Sequence, residues 1–184
     1  MDEHNAIQSL KQGDIRGLEW LVLKYQLKAV RVAYLITRDR FLAEEIVQEA
    51  FINAYTYIGS FDDRRPFEPW FIRSVVNASV KATQRETKRT VPFPEGVTSS
   101  LEKVLIDDGL HPEAQIELSE FQSRVREAMA QLSPRQRAVV VLRYFLDMTE
   151  KEMSDELGIA PGMVKWFLHA TRKNLRVLLS PKRK

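Results

Sequence analysis

The chain of 184 residues contains no cysteine. Disulfide bonds, cysteine metal sites and thiol catalysis are therefore excluded. It also lacks any run of about 18 apolar residues, so no segment reads as a membrane span. The start, Met1-Asp2-Glu3-His4, is acidic and without the basic and apolar regions of a signal peptide. These features point to a cytoplasmic protein without membrane insertion. Histidine occurs only three times, at His4, His111 and His169. None is near the glutamate-rich stretch at 44–49, so no Glu-x-x-His metal motif and no cofactor site is expected. Glycine (7) and proline (8) are scarce and fall at boundaries, and alternating apolar/polar strand patterns are absent. What remains is an all-α chain, 44% hydrophobic and 29% charged, as suits a folded globular protein.

The net charge of +3 conceals an uneven distribution. Arg73, Lys81, Arg85, Lys88 and Arg89 stand against Glu86 alone. Residues 91–121 hold seven acids against Lys103. Residues 161–184 carry seven lysines and arginines and no acid. Two basic blocks on helices favour contact with a polyanion at two places, although either block alone would pass for a solvated surface. The acidic stretch begins Val91-Pro92-Phe93-Pro94-Glu95-Gly96, where the prolines stop any preceding helix. It reads as a flexible acidic linker at 91–112 between two small helical domains, 1–90 and 113–184.

Apolar spacing and end signals predict helices at 3–12, 15–36, 40–58, 69–89, 113–131, 134–146, 150–157 and 161–179. Ser133-Pro134-Arg135-Gln136 and Thr149-Glu150-Lys151-Glu152 are capping boxes. Gly158 suits a left-handed turn, and Pro161 opens the last helix. Residues 149–176 thus outline a helix-turn-helix. In its second helix Val164, Phe167, Leu168, Thr171, Leu175 and Leu178 form an apolar arc. Lys165, His169, Arg172 and Arg176 form a separate cationic stripe. A helix of this kind fits the major groove of duplex DNA, with Trp166 and Lys173 beside the stripe.

Two further stretches carry information. The segment from Gly59 to Phe71 holds four aromatics and too few helix signals to be regular, and a basic helix follows it. Aromatics beside cations hold unpaired strands by stacking. Trp70 and Phe71 are expected to be at least partly buried, which leaves Phe61, in the loop, as the better stacking ring. On the helix at 40–58, Glu45 and Glu49 lie four apart, with Glu44 and Gln48 on the adjoining strip. Like charges at this spacing destabilise a helix slightly, so the strip has use for a cationic partner, though a solvated face remains the plain alternative.

Taken in order, these elements resemble the sigma-70 family of bacterial transcription initiation factors, in particular its small extracytoplasmic-function type. Gln12-Gly13-Asp14 with Leu18, Leu21 and Tyr25 is similar to that family's opening helices. Ala43-Glu44-Glu45-Ile46-Val47-Gln48-Glu49-Ala50-Phe51 resembles its Ala-Glu-Asp-x-Val-Gln-Glu-x-Phe signature. Phe67, Trp70, Arg73 and Asn77 match its aromatic-rich segment. Leu132-Ser133-Pro134-Arg135-Gln136-Arg137 and Leu142-Arg143-Tyr144 resemble the start of its final domain. Leu157-Gly158-Ile159 through Arg172-Lys173 resembles its promoter-reading helix-turn-helix.

The resemblance implies a non-enzymatic factor with core RNA polymerase and promoter DNA as partners, and an anti-sigma factor as a further one. Glu44, Glu45, Gln48 and Glu49 would dock on the clamp helices of the largest polymerase subunit, and the final domain on the flap of the other large subunit. Phe61, Asp62, Asp63, Arg64 and Arg65, with Trp70, Arg73 and Asn77, would capture the −10 element. Lys165, Trp166, His169, Arg172, Lys173 and Arg176 would meet the −35 element. The chain departs from the family at Trp166, Phe167 and Ala170, where a small hydroxyl residue and two arginines are common, and at Ser74 and Val76 near Asn77. A stand-alone helix-turn-helix regulator and a sigma-like sequestering module remain open alternatives; a helical-bundle enzyme lacks a convergent set of acid, base or metal ligands.

Overall fold

The computed structural model describes residues 1–87, 123–125 and 127–179. The linker expected at 91–112 lies outside the described residues. The described residues form, in order, α1 (Glu3–Lys11), α2 (Arg16–Thr37), α3 (Arg40–Tyr57), a 3-10 turn (Ile58–Ser60), α4 (Phe67–Thr87), α5 (Pro134–Phe145), α6 (Glu150–Leu157) and α7 (Pro161–Leu179). Residues 123–125 and 127–130 are also helical. No strand occurs among the described residues.

Local chemistry sets these boundaries. Asp2 caps α1 by accepting from the Asn5 N–H at 2.8 Å, and Asp39 caps α3 through the Leu42 N–H at 3.0 Å. Arg38 ends α2 in the left-handed region (φ 63°), its N–H returning to the Tyr34 carbonyl. Both expected capping boxes form, Ser133 with Gln136 and Thr149 with Glu152. Gly158 adopts φ 60°, ψ 38° and closes α6 onto the Ser154 carbonyl. The helix expected at 69–89 starts two residues sooner, at Phe67. Pro69 does not delay it, because a proline in the first turn loses an N–H that has no helical partner there. The expectation that 59–71 is irregular throughout is corrected accordingly: its last five residues are helical.

The N-terminal lobe packs α1, α3 and α4 around α2. Leu21, Tyr25, Ala29, Val32, Ala33 and Ile36 line the buried side of α2. Tyr25 is tied to the Glu3 carboxylate, and burial together with that contact pushes its phenol up to about 12. Helix α1 lies so close to α2 that a Cβ on Gly17 would stand 2.2 Å from the Ala6 carbonyl oxygen and 2.9 Å from the Leu10 nitrogen. Both obstacles are backbone, so neither yields by rotating. Gly17→Ala gains up to about 1 kcal/mol of helix propensity. Its overpacking cost is about 1–3 kcal/mol or more, since a backbone must shift. Net destabilisation in urea unfolding is the expected result; equal or raised stability would show that α1 swings aside without penalty.

The C-terminal lobe, α5 to α7 with the helical residues before them, rests on the N-terminal lobe. One buried apolar cluster runs through both and includes Val75, Val139, Leu142 and Phe167. A second small cluster of Met129, Leu132 and Val140 receives Leu35 of α2. Arg137 fastens the junction. Its side chain is 6% exposed, with Nε donating to the Ile36 carbonyl at 2.8 Å and Nη1 to the Leu132 carbonyl at 2.6 Å. The Ile36 carbonyl is among the last of α2, where acceptors lack helical partners and a cation is favoured by the helix dipole. Burial, with Arg38 nearby, lowers this guanidinium to about 10, still charged at neutral pH. The sequence pattern gave no sign that the two lobes would close on one another.

Candidate nucleic-acid interface

The helix-turn-helix forms as the spacing predicts. Val164, Phe167, Leu168 and Thr171 turn inward, and Leu175 is half-buried. Lys165, Trp166, His169, Arg172, Lys173 and Arg176 all lie on the exposed side of α7. Ser154 reaches across the turn to the Ile159 carbonyl at 2.6 Å, which fixes the angle between α6 and α7. Lys165 Nζ stands 3.8 Å from Glu150, a loose pair at an exposed site that costs little to break. Arg172 Nε is 3.4 Å from the Tyr144 hydroxyl. Trp166 is 57% exposed and leans on Phe167 at 5.2 Å between ring centroids. Phe167, one of the departures from the family pattern, is a packing residue here.

In the N-terminal lobe the aromatic loop is arranged differently from the sequence expectation. Phe61 is only 4% exposed. Its ring meets Phe67 edge-on at 5.6 Å and Trp70 at 5.1 Å, and it is not the loop's available stacking surface. The cause is local. The Phe61 N–H closes the 3-10 turn onto Ile58, and Lys11 donates to the Phe61 carbonyl at 2.8 Å. With the backbone held at both sides, the ring has one apolar place to go, beneath the start of α4. Trp70 is half-buried and Phe71 fully buried, as expected.

The charged residues of this loop fall into two sets. Asp63 is pinned by Lys11 and by Gln8 Nε2 at 2.5 Å, and the Lys11 hydrogen bond holds its carboxyl below the usual range. Asp62 accepts from Arg64 Nε at 2.9 Å and stands 3.7 Å from Arg65 Nε; the Arg64 hydrogen bonds lower its carboxyl likewise. Arg64 and Arg65 themselves remain 90% and 79% exposed at their side chains. The two aspartates therefore shape the loop, while the two arginines face outward. Farther along α4, Asn77 and Arg73 do not face open solvent. Asn77 Nδ2 donates to Glu156 Oε1 at 2.5 Å, and Arg73 Nε lies 4.0 Å from Glu156 Oε2.

On α3, Glu45, Gln48 and Glu49 are exposed, whereas Glu44 is half-buried and paired with Arg40 at 2.8 Å. Beside this strip runs a groove of about 610 Å³ between α2 and α3, lined by Leu27, Val30, Gln48 and Ile52 among others. Leu27 and Ile52 on its walls are exposed apolar residues, and Leu23, Phe41 and Tyr55 are further exposed apolar residues on the same two helices. Sequence reasoning missed this apolar surface. A signal existed: Leu23 and Leu27 lie four apart and off the Leu21–Tyr25–Ala29 line that fills the core.

Among the described residues no group of three or more histidine, aspartate or glutamate side chains is placed to hold a metal. No described helix is long and apolar enough to cross a membrane.

An all-α chain with a helix-turn-helix lobe, a cationic outer helix face and an aromatic-lined loop on a second lobe defines a DNA-binding class of protein. Family comparison narrows the class. Residues 21–89 match the model of sigma-70 region 2, and residues 122–175 match that of sigma-70, region 4. The extracytoplasmic-function RNA polymerase sigma factor SigW of Bacillus subtilis is 30% identical over 175 residues, covering 92% of each chain. The RNA polymerase sigma-H factor of Pseudomonas aeruginosa is 25% identical, over 97% of this chain and 94% of the relative. Two solved structures share the fold. CnrH in complex with the cytosolic domain of CnrY superposes with a TM-score of 0.59 at 21% identity, covering 98% of this chain and 99% of that one. The sigma factor RpoE in complex with the anti-sigma factor NepR, from Bartonella quintana, gives 0.61 at 20% identity, with coverage of 90% and 98%. The chain belongs to the sigma-70 family, and to its extracytoplasmic-function type.

Proposed function

We propose that this chain binds core RNA polymerase, directs it to promoters through −10 and −35 elements, and assists strand opening, with no catalytic chemistry of its own. The observation that carries this is the pairing of two unlike surfaces on one chain. An apolar groove with an acidic-polar rim on α2 and α3 suits a protein partner, and a cationic helix face on α7 suits duplex DNA. A stand-alone regulator with an N-terminal effector or dimerisation domain would use the first surface for a second copy or an effector, so binding to core polymerase is what separates the two readings.

The residues divide the work as follows. Glu44, Glu45, Gln48 and Glu49, with the groove beside them, meet the clamp helices of the largest polymerase subunit; the C-terminal lobe meets the flap of the other large subunit. Lys165, His169, Arg172, Lys173 and Arg176 approach the −35 duplex, and Trp166 offers an apolar face to a thymine methyl or the sugar backbone. Arg64 and Arg65 neutralise the −10 strand, Trp70 supplies a ring, and Arg73 and Asn77 meet phosphate and base edge. Asp62 and Asp63 hold the loop in shape, and Phe61 anchors it. The linker at 91–112 follows the polymerase's nucleic-acid path. An anti-sigma factor is a further partner, a reading supported by the fold's likeness to two sigma factors solved with such partners.

The test is co-elution with core RNA polymerase followed by run-off transcription on genomic fragments, including the region upstream of the chain's own coding sequence. Specific initiation that depends on the added chain is expected. Failure to associate with polymerase would overturn the proposal, and operator binding without polymerase would favour the stand-alone regulator. Within the C-terminal lobe, Lys165→Ala and Arg172→Ala are each expected to weaken −35 binding by about 1–3 kcal/mol for a base contact, less for a phosphate contact. A phosphate contact also lowers the salt slope by about one per residue. Unchanged affinity and slope in the double variant would remove α7 from the interface.

A further inference from the structure

Helix α1 does more than cover the core: it holds the loop that carries Arg64 and Arg65. Its buried face, Ala6, Ile7 and Leu10, seats it on α2, where Gly17 lets the two backbones meet and Lys24 donates to the Glu3 carboxylate at 2.6 Å. A different face, with Gln8 and Lys11 three apart, turns to the loop. Lys11 Nζ donates to the Phe61 carbonyl at 2.8 Å and also to Asp63 Oδ1, and Gln8 Nε2 donates to Asp63 Oδ2 at 2.5 Å. Both oxygens of Asp63 are thus engaged by α1, and Lys11, Gln8 and Asp63 are all half-buried. Just beyond Asp63 the chain turns, the Arg65 N–H returning to the Asp62 carbonyl at 3.0 Å, and both arginine side chains project into solvent. The charges of Asp62, Asp63, Arg64 and Arg65, two acids and two bases, cancel; Lys11 is what leaves this patch positive.

From this geometry we propose that Lys11, seconded by Gln8, is a positioning residue for strand opening: it fixes the loop at 61–65 in the form that presents Arg64 and Arg65 to the single strand, and so acts on capture of the opened strand rather than on docking to duplex DNA. The proposal rests on the assignment of Arg64 and Arg65 to the −10 strand. The physical argument is one of ordering. Two long arginine side chains lose rotamer freedom when they bind, and an irregular backbone beneath them would lose still more if it were not already fixed. A tether from a separate, well-seated helix removes the backbone share of that cost before the strand arrives. Without the tether, Asp63 becomes an unpaired carboxylate beside the strand's phosphates, which repels them. Docking to duplex DNA through α7, on the other lobe, is left as it was.

The test uses the full chain assembled with core RNA polymerase, on a genomic fragment from which the wild type initiates. Permanganate reactivity of unpaired thymines reads strand opening, and retention of the same fragment in the cold, before opening, reads docking. Lys11→Met is expected to slow opening about tenfold or more, the order of loss that a misplaced binding group brings, with docking within twofold of wild type. Lys11→Arg, which keeps the cation and its donors, is expected to restore opening to within threefold. Lys11→Met combined with Asp63→Asn keeps the net charge of the patch but lacks the ammonium tether, and is expected to stay slow. Should Lys11→Met fail to fold, Gln8→Ala, which removes a single hydrogen bond, is expected to slow opening about threefold, and no slowing there overturns the proposal. Three further outcomes overturn it. Opening within twofold of wild type in Lys11→Met removes the role outright. Recovery in the double variant assigns Lys11 to charge alone, and equal falls in opening, docking and polymerase affinity assign it to the fold alone. A wild type that initiates while Lys11→Met opens normally loses this inference only; a wild type that neither co-elutes with polymerase nor initiates loses the functional assignment, and this inference with it.

Discussion

Leu27→Asp combined with Ile52→Asp is expected to reduce affinity for core RNA polymerase by a factor of about 100 to 1000, with the thermal stability of the free chain nearly unchanged. Both side chains stand largely in solvent, at 47% and 63% exposure, so their loss removes little from the core. Both border the groove between α2 and α3 that Gln48 and Glu44 also line. An apolar side chain at the centre of a protein interface contributes about 2 kcal/mol when it is an anchor, and each 1.4 kcal/mol is a tenfold change in affinity. Two such losses give the stated range before the cost of burying new carboxylates is counted. The measurement is a binding titration of labelled chain with core enzyme, paired with a melting curve. Affinity within threefold of wild type would remove the groove from the polymerase interface. A fall in melting temperature matching the fall in affinity would show instead that these residues support the fold.

Phe61→Ala is expected to lower stability by about 3–5 kcal/mol, the usual range for deleting a buried aromatic ring. The ring is 4% exposed and shares its contacts with Phe67 and Trp70, and Phe67 in turn stacks on Phe71 at 5.6 Å. Truncation opens a cavity beneath the first turn of α4, where the backbone is already committed by Lys11 and the Ile58 carbonyl. Urea unfolding reads the loss directly. A ring that served only to stack on an extruded base would behave otherwise: its removal would leave the unfolding midpoint where it was and impair strand opening alone. A midpoint shift of less than about 0.5 kcal/mol would return Phe61 to the DNA-reading role.

The case of Phe61 shows where sequence pattern stops being informative. Helices whose ends are set by neighbouring residues were legible: Ser133 with Gln136, Thr149 with Glu152, and Gly158 with Ser154 form the caps that their spacing implies. The inward and outward faces of α7 were legible too, because a single helix against a core has one apolar arc. A loop aromatic has no such period. Whether Phe61 points in or out depends on Lys11, fifty residues away, and no local rule reports that. The same holds for Arg137. In the sequence it is one arginine on an amphipathic helix, yet it is buried because a carbonyl at the end of α2 is present to receive it. Glu156 is similarly ordinary until Asn77 is brought opposite. The groove beside α3 escaped notice for a different reason. Leu23 and Leu27 read as surplus core residues unless their angular position on α2 is set against Leu21 and Tyr25, which fill the interior.

The interior shared by the two lobes has a thermal consequence. Separating them wets the surfaces around Leu35, Met129 and Leu132, and wetting apolar surface raises heat capacity. The closed state is therefore held more weakly as temperature falls, since the driving force for apolar burial fades on cooling. Calorimetric unfolding of the free chain carries the mark of this: a substitution at Leu35 that loosens the junction lowers the heat-capacity change of unfolding by the apolar surface the junction hides.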